Sequence, residues 1–350
     1  MAHKAEIKSS KTIILTGDRP TGPLHLGHYA GSLKERLKLQ EKPNVELYII
    51  VADTQGLTDH FDQKDKIRSN VIEVVKDYLA IGLNPRLWRI FLQSQITELF
   101  ELTAYLTNLV TFNNLTRVPT LKSEIQQKKM TNNLPMGFLN YPISQAADLL
   151  LFDTMMAPVG KDQVSLIEFA NDISLKYNSL YKCNRFHKVE SLLTSSPKIL
   201  GIDGKAKASK SLNNCIYLKD DFQILEQKVK KMYTDPNHIK ISDPGNVEGN
   251  IVFHYLDHFY HDQDHLLDLK SHYTKGGLSD SYLKKLLVSE LNTLLEPIRV
   301  KRQAITDQDV FEALNYGYKE AKAVATNRIN NIRDDLGLII TSDFKHDIKL

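Results

Sequence analysis

The sequence predicts an α/β chain in which a Rossmann-like, doubly wound parallel sheet is followed by a C-terminal all-helical domain. Three observations predict it. Apolar, β-branched runs alternate with helical periodicity through the first half of the chain, a βαβ pattern that implies parallel strands. The loop leaving the first run, DRPTGP (18–23), is built from turn-formers and opens a helix, at the place where open parallel sheets take their ligands. Beyond about residue 216 helical spacing persists without a convincing strand.

KTIILTG (11–17) reads as a short strand closed by Gly17, and LHLGHYAGSLKERLKLQ (24–40) as a helix with Leu33 and Leu37 among long polar residues. VELYIIVAD (45–53) is apolar nearly throughout, as a strand buried on both faces is. DKIRSNVIEVVKDYLAIGL (65–83) is the next helix, WRIFLQS (88–94) the third strand, and MMAPVG (155–160) a further strand leading into a helix over 161–181. A lysine-rich loop, KAKASKSLNN (205–214), closes this part. Helical stretches then fall within 220–234, 252–260, 279–305 and 308–338, with the turn-rich TDPNHIKISDPGN (234–246) between two of them. The predicted division is residues 1–215 with an inserted segment at about 100–150, then 216–335, then a tail over 336–350.

A net charge of +3 on 350 residues excludes a protein coated in basic groups, so any nucleic-acid contact must rest on local patches. Cys183 and Cys215 lie far apart with no CxxC spacing, which supports neither a disulfide framework nor a zinc or iron–sulfur site, and a reducing cytoplasm suits them. MAHKAEIKSSK is polar and no apolar run approaches membrane-spanning length, so the expectation is an intracellular protein with no membrane contact.

Three stretches carry chemistry. In HLGH, His25 and His28 fall on one side of a helix's first turn and can direct two donors at one anion, while Gly27 leaves room for a flat base beside the backbone. In YPISQAAD, Tyr141, Gln145 and Asp148 stand at i, i+4 and i+7, one polar stripe on an apolar helix. In KAKASKS, Lys207 and Lys210 are flexible point charges, and Gly204, Ala206, Ala208 and Ser209 allow a loop to move.

HLGH and KASKS resemble the two signature sequences of class I aminoacyl-tRNA synthetases. RPTGPLHLGHYAGSL, FLNYPISQAADLLLFD, APVGKDQVSLIEFANDI and AKASKSLNN together resemble the bacterial tryptophanyl branch of that class, over roughly residues 12 to 335. The resemblance implies catalytic roles for His25, His28, Lys207 and Lys210, with the lysines on a loop that closes over the triphosphate of ATP. It implies ATP contacts for Arg19, Thr21, Gly22, Gly27, Lys122, Ser209 and Ser211, and a bond from Asp162 to the ribose. It implies an amino-acid pocket in which Asp148 accepts the indole N–H, Tyr141 and Gln163 hold the α-amino group, and Gln55 and Gln145 line the wall.

Three positions depart from the pattern: Ala208 replaces the lysine signature's methionine, Glu124 stands where a second lysine is usual, and Gln145 replaces a common methionine. Because tyrosyl enzymes share a similar Tyr…Gln…Asp helix, Gln145 keeps tyrosine open as the substrate. The implied reaction takes L-tryptophan and ATP carrying Mg2+ to an adenylate and pyrophosphate, then transfers the aminoacyl group to tRNA(Trp) with no protein nucleophile. The implied partners are that tRNA and a second copy of the chain, the 100–150 insert serving specificity and dimerisation. The helical domain would read the anticodon, with KVKK (228–231) and RVKR (299–302) as its basic runs. An HxGH nucleotidyltransferase and a noncatalytic nucleic-acid-binding relative are the rival readings.

Overall fold

A computed structural model describes residues 11–62, 64–127, 134–193, 199–210 and 212–338. Its five-stranded sheet is parallel, in the order β3-β2-β1-β4-β5. The strands are β1 (Thr12–Asp18), β2 (Val45–Val51), β3 (Trp88–Leu92), β4 (Met156–Val159) and β5 (Glu190–Leu193). β5 carries only ESLL at the sheet edge, half exposed, a pattern too short to announce itself in sequence. The order reverses between β1 and β4, which opens a crevice at the carboxyl ends of the strands.

Successive residues of each strand go to opposite faces. Ile14, Leu47, Ile49, Val51 and Ile90 enter one core, and Leu15, Tyr48, Ile50 and Phe91 enter another. Both faces are covered, which is why β2 is apolar nearly throughout.

The helix after β1 starts at Leu26, with His25 as its cap, and has three consecutive parts: α1 (Leu26–His28), a π-helical turn (Tyr29–Leu33) and α2 (Lys34–Leu39). Then come α3 (Asp53–His60) and α4 (Lys64–Ile81), and after β3 α5 (Thr97–Thr107), α6 (Phe112–Thr116), α7 (Pro119–Gln127) and α8 (Met136–Leu151). α9 (Val164–Tyr181) joins β4 to β5. The helical half holds α10 (Phe222–Lys230), α11 (Ile251–Phe259), α12 (Gln263–Lys275), α13 (Asp280–Ala304) and α14 (Asp307–Asp335). Asp221, Asn250, Asp262, Ser279 and Thr306 cap these five helices, each accepting an otherwise orphaned N–H.

α14 returns to the sheet and lies against β3, so closely that a Cβ on Gly317 would stand 2.0 Å from the Ile90 carbonyl oxygen. Ala321, Ala325, Ile329 and Ile332 follow it into the core shared with Phe91. At its far end the Asp335 carboxylate takes two hydrogen bonds from Arg185, at 2.6 and 2.8 Å. Nothing in the helical spacing of α14 distinguishes it from the helices that stay in the C-terminal half.

Candidate active site

A cavity of about 340 Å³ opens at the crevice, lined by Asp18 at the end of β1, Arg19 from the loop after it, Gln55 from α3, Gln163 before α9, and Tyr141, Gln145 and Asp148 from α8. The polar stripe expected on α8 is therefore a wall of the cavity. Asp148 is 5% exposed and accepts from Gln55 Nε2 at 3.0 Å and from Gln93 Nε2, which stands 2.9 Å from each carboxylate oxygen. Burial drives its carboxyl from an ordinary 3.8 up to about 7, and the two amides hold it from rising further. Tyr141 has a buried hydroxyl with no hydrogen-bond partner among the described residues, although Glu124 faces it. A polar ligand group satisfies such an atom better than an apolar one.

Gln93 was not among the sequence-derived site residues. Its Oε1 accepts from the Thr54 hydroxyl and from the Gln55 N–H at 3.3 Å, so its amide is turned with the NH2 toward Asp148. Its position just past the carboxyl end of β3 is the signal that could have found it. Arg36, among the long polar residues of the predicted 24–40 helix, is 1% exposed, lines the cavity and donates to Asp18 at 2.7 Å. Burial acts to raise Asp18, but Arg36 and the Tyr78 hydroxyl, 2.5 Å away, bring it down to about 2.

Beside the cavity, the Nδ1 of His25 accepts from Gly27 N–H at 3.0 Å and the Nδ1 of His28 accepts from His25 N–H at 3.2 Å. Both rings are thereby neutral, with Nε2–H as the donor. Burial, helped for His25 by the adjacent His28 and for both rings by Lys210, holds His25 down to about 2 and His28 to about 3. They can donate to an anion without carrying charge. A Cβ on Gly27 would meet the His25 ring at 2.8 Å, so the glycine makes room for a neighbouring imidazole.

The lysine loop is docked against this turn. Gly201 N–H donates to Ala206 O at 2.7 Å and Ala208 N–H to Ile199 O at 2.9 Å, while Asn214 Oδ1 accepts from Ser209 N–H at 2.8 Å. Ala208 is buried in the core, so the residue that departs from the family pattern still serves as the loop's apolar anchor. Lys210 donates to Gly22 O at 2.6 Å, and burial brings its ammonium down to about 8 against the opposing charges of Asp18 and Asp77. Lys207 is exposed and close enough to both histidines to influence their protonation. The chain beyond the loop pairs with the HLGH turn through Leu26 N–H to Ile216 O and Leu218 N–H to Leu24 O, both at 2.9 Å.

Other expected residues stand apart from the cavity. Lys122 is exposed on α7 and outside the lining, which includes Glu124 from the same helix. Asp162 is exposed beside Gln163, its carbonyl accepting from the Thr120 hydroxyl at 2.7 Å. Thr21 and Gly22 lie in the loop after β1, and Ser211 falls outside the described residues. The two basic runs are not open cationic surfaces. Lys228 donates to Asp220 and to Cys215 O, Arg299 to Asp220 O, and Arg302 to Asp77, because partially buried cations must find acceptors. Of these runs Lys230, Lys231 and Lys301 remain exposed.

Residues 8–296 match the family of class I tRNA synthetases (W and Y). The chain belongs to this family. Among relatives of this synthetase, tryptophan–tRNA ligase of Clostridium longisporum is 46% identical over 333 residues, covering 94% of this chain and 98% of the relative. Tryptophan–tRNA ligase of Streptococcus agalactiae serotype V is 45% identical over 336 residues, with the same coverage. Among solved structures, tryptophanyl-tRNA synthetase of Campylobacter jejuni, complexed with ADP and tryptophan, superposes with a TM-score of 0.82 at 29% identity, over 93% of this synthetase and 100% of that chain. The Mycoplasma pneumoniae enzyme gives 0.77 at 26% identity, over 94% and 98%. Among the described residues of the synthetase no three His, Cys, Asp or Glu side chains gather as metal ligands, and no helix is long and apolar enough to cross a membrane.

Proposed function

We propose that this synthetase is a tryptophan–tRNA ligase: with ATP carrying Mg2+ as the second substrate, it converts L-tryptophan to tryptophanyl-adenylate and pyrophosphate, then passes the aminoacyl group to the 3′ end of tRNA(Trp). The observation that carries the reading is Asp148, a buried carboxylate held by two amides in a cavity beside the HLGH turn. Relatives named as tryptophan–tRNA ligases at 45–46% identity support tryptophan over tyrosine.

The indole N–H donates to Asp148, and Tyr141 and Gln163 take the α-ammonium, with Gln55 and Gln145 shaping the wall. The tryptophan carboxylate oxygen attacks the α-phosphorus; the P–O bond to the β-phosphate breaks and pyrophosphate leaves with the electron pair. Negative charge growing on the α-phosphate and the leaving group meets the Nε2–H donors of His25 and His28 and the ammonium groups of Lys207 and Lys210. Arg19, Thr21, Gly22, Gly27 and Ser209 border the nucleotide, Asp162 its ribose, and Lys122 approaches from α7. The tRNA ribose hydroxyl then attacks the mixed anhydride and AMP leaves. The helical half, with Lys230, Lys231 and Lys301 exposed, reads the anticodon, and the enzyme works in the cytoplasm as a homodimer.

Pyrophosphate exchange into ATP, run in parallel with tryptophan and with tyrosine, tests the reading. Exchange that depends on tryptophan is the expected result. Exchange with tyrosine alone, or with neither, would overturn it, and charging of tRNA(Trp) checks the second step.

A further inference from the structure

The turn that carries HLGH hangs from the helical half of the chain by a buried carboxylate. Asp77, on α4, is fully buried and divides its oxygens between two donors: Oδ2 accepts the Leu24 N–H at 2.7 Å, and Oδ1 accepts Arg302 Nε at 2.7 Å. Leu24 immediately precedes His25, the residue whose ring and backbone cap α1. Arg302 stands in the last turn of α13 and also meets Glu73 at 2.9 Å, a carboxylate shared with Lys219 at 2.6 Å.

A second set of contacts runs from the same helix to the strand opposite. Arg299, one turn before Arg302, donates to Asp220 O at 3.0 Å. The Asp220 carboxylate accepts the Tyr217 N–H at 2.8 Å and Lys228 Nζ at 2.6 Å, and Lys228 also reaches Cys215 O at 2.9 Å. Residues 24–26 and 216–218 are the two halves of the antiparallel pair that joins the HLGH turn to the lysine loop. α13 therefore holds one half through Asp77 and the other through Asp220. Buried, charge-assisted bonds of this kind fix geometry tightly, because a displaced partner leaves a desolvated charge behind.

We infer that Asp77 is a positioning residue for the HLGH turn and that Arg302 acts through it, so that the helical half of the chain sets the placement of the donors used in adenylate formation. The inference rests on the ligase reading. It separates the ATP side of the site from the amino-acid side, since among the described residues no hydrogen bond joins Asp77 or Arg302 to α8 or to the amides on Asp148.

The test compares Asp77→Asn, Arg302→Gln, the double variant and a control, Lys285→Ala, whose side chain is exposed on α13. Asp77→Asn keeps the shape but cannot accept from both donors, and Arg302→Gln leaves the Leu24–Asp77 bond in place should the first variant fold poorly. In tryptophan-dependent exchange each single variant is expected to lose on the order of ten-fold in kcat/KM for ATP. The double variant should lose little more than Asp77→Asn alone, because the bond that ties Arg302 to Leu24 runs through Asp77, while its other partner, Glu73, reaches Lys219, outside the 24–26 and 216–218 pair. Tryptophan affinity by calorimetry without ATP, and the control's kinetics, should stay at wild-type values. A wild-type kcat/KM for ATP in Arg302→Gln, losses that multiply in the double variant, or a parallel fall in tryptophan affinity would each overturn the inference. No exchange by the wild-type enzyme would instead overturn the ligase reading beneath it.

Discussion

Gln93 Nε2 stands 2.9 Å from both carboxylate oxygens of Asp148, so a buried acceptor on α8 is oriented by an amide from the turn just past β3. An indole N–H arriving at Asp148 meets a carboxylate already fixed in direction, which limits the ordering that binding must supply. Gln93→Leu removes the donor at similar volume. The expected result is a roughly 10- to 100-fold fall in kcat/KM for tryptophan with little change for ATP, measured by exchange.

Asp148 also makes stability depend on pH. Its carboxyl titrates at about 7 in the folded chain against an ordinary 3.8, so between those values the folded state binds the extra proton. Stability therefore falls as pH rises through this window, and the loss is complete above about pH 7. Asp148→Asn should gain on the order of 2 kcal/mol at pH 8 and nothing near pH 4, while losing tryptophan activation. Urea unfolding at the two pH values measures the difference, and in the wild type tryptophan affinity should weaken as pH drops below 7.

Lys210 gives the opposite limb on the nucleotide side. Its ammonium is brought down to about 8 by burial, so kcat/KM for ATP should decline above that pH as the positive charge is lost. Lys210→Met should abolish the limb and lower the plateau, read from exchange across pH 6 to 10.

Gly27→Ala puts a methyl group 2.8 Å from Cε1 and Nδ1 of His25. The ring must swing away, and the bond that fixes its tautomer, from Gly27 N–H at 3.0 Å, is lost with it. Loss of one transition-state donor implies a fall in kcat on the order of 100-fold. Single-turnover adenylate formation would show it.

Gly317→Ala tests the return of α14. The added methyl would press on the Ile90 backbone, which cannot step aside without moving β3. A loss of about 2 kcal/mol or more is expected in thermal or urea unfolding. Because α14 contributes nothing to the cavity lining, the enzyme that remains folded should keep its KM for tryptophan.

The strands through β4, the helices at 24–40, 65–83 and 161–181 and the α8 stripe were legible in the sequence because each rests on a local pattern, an apolar run for the strands and a period of 3.6 for the helices, whereas α3, α5, α6 and α7 were not read from it. β5 was not, since a four-residue edge strand has no period to show. Local spacing likewise assigns Arg299 and Arg302 to a helix but says nothing of which acceptor lies opposite, so both were read as a basic surface when they point inward.

The amino-acid sequence by itself determined the class of sheet, the placement of the HLGH and lysine signatures at one end of it, and the residue types that meet an amino acid and a nucleotide. Only the tertiary structure decided that Gln93 orients Asp148, that Asp18 and Arg36 pair inside, that Gly27 makes room for His25, and that α13 grips the HLGH turn through Asp77. The reason is physical. A buried polar group must find its partner wherever the fold brings one, and residues 53 and 225 positions apart meet at Asp77 by packing that no local pattern encodes.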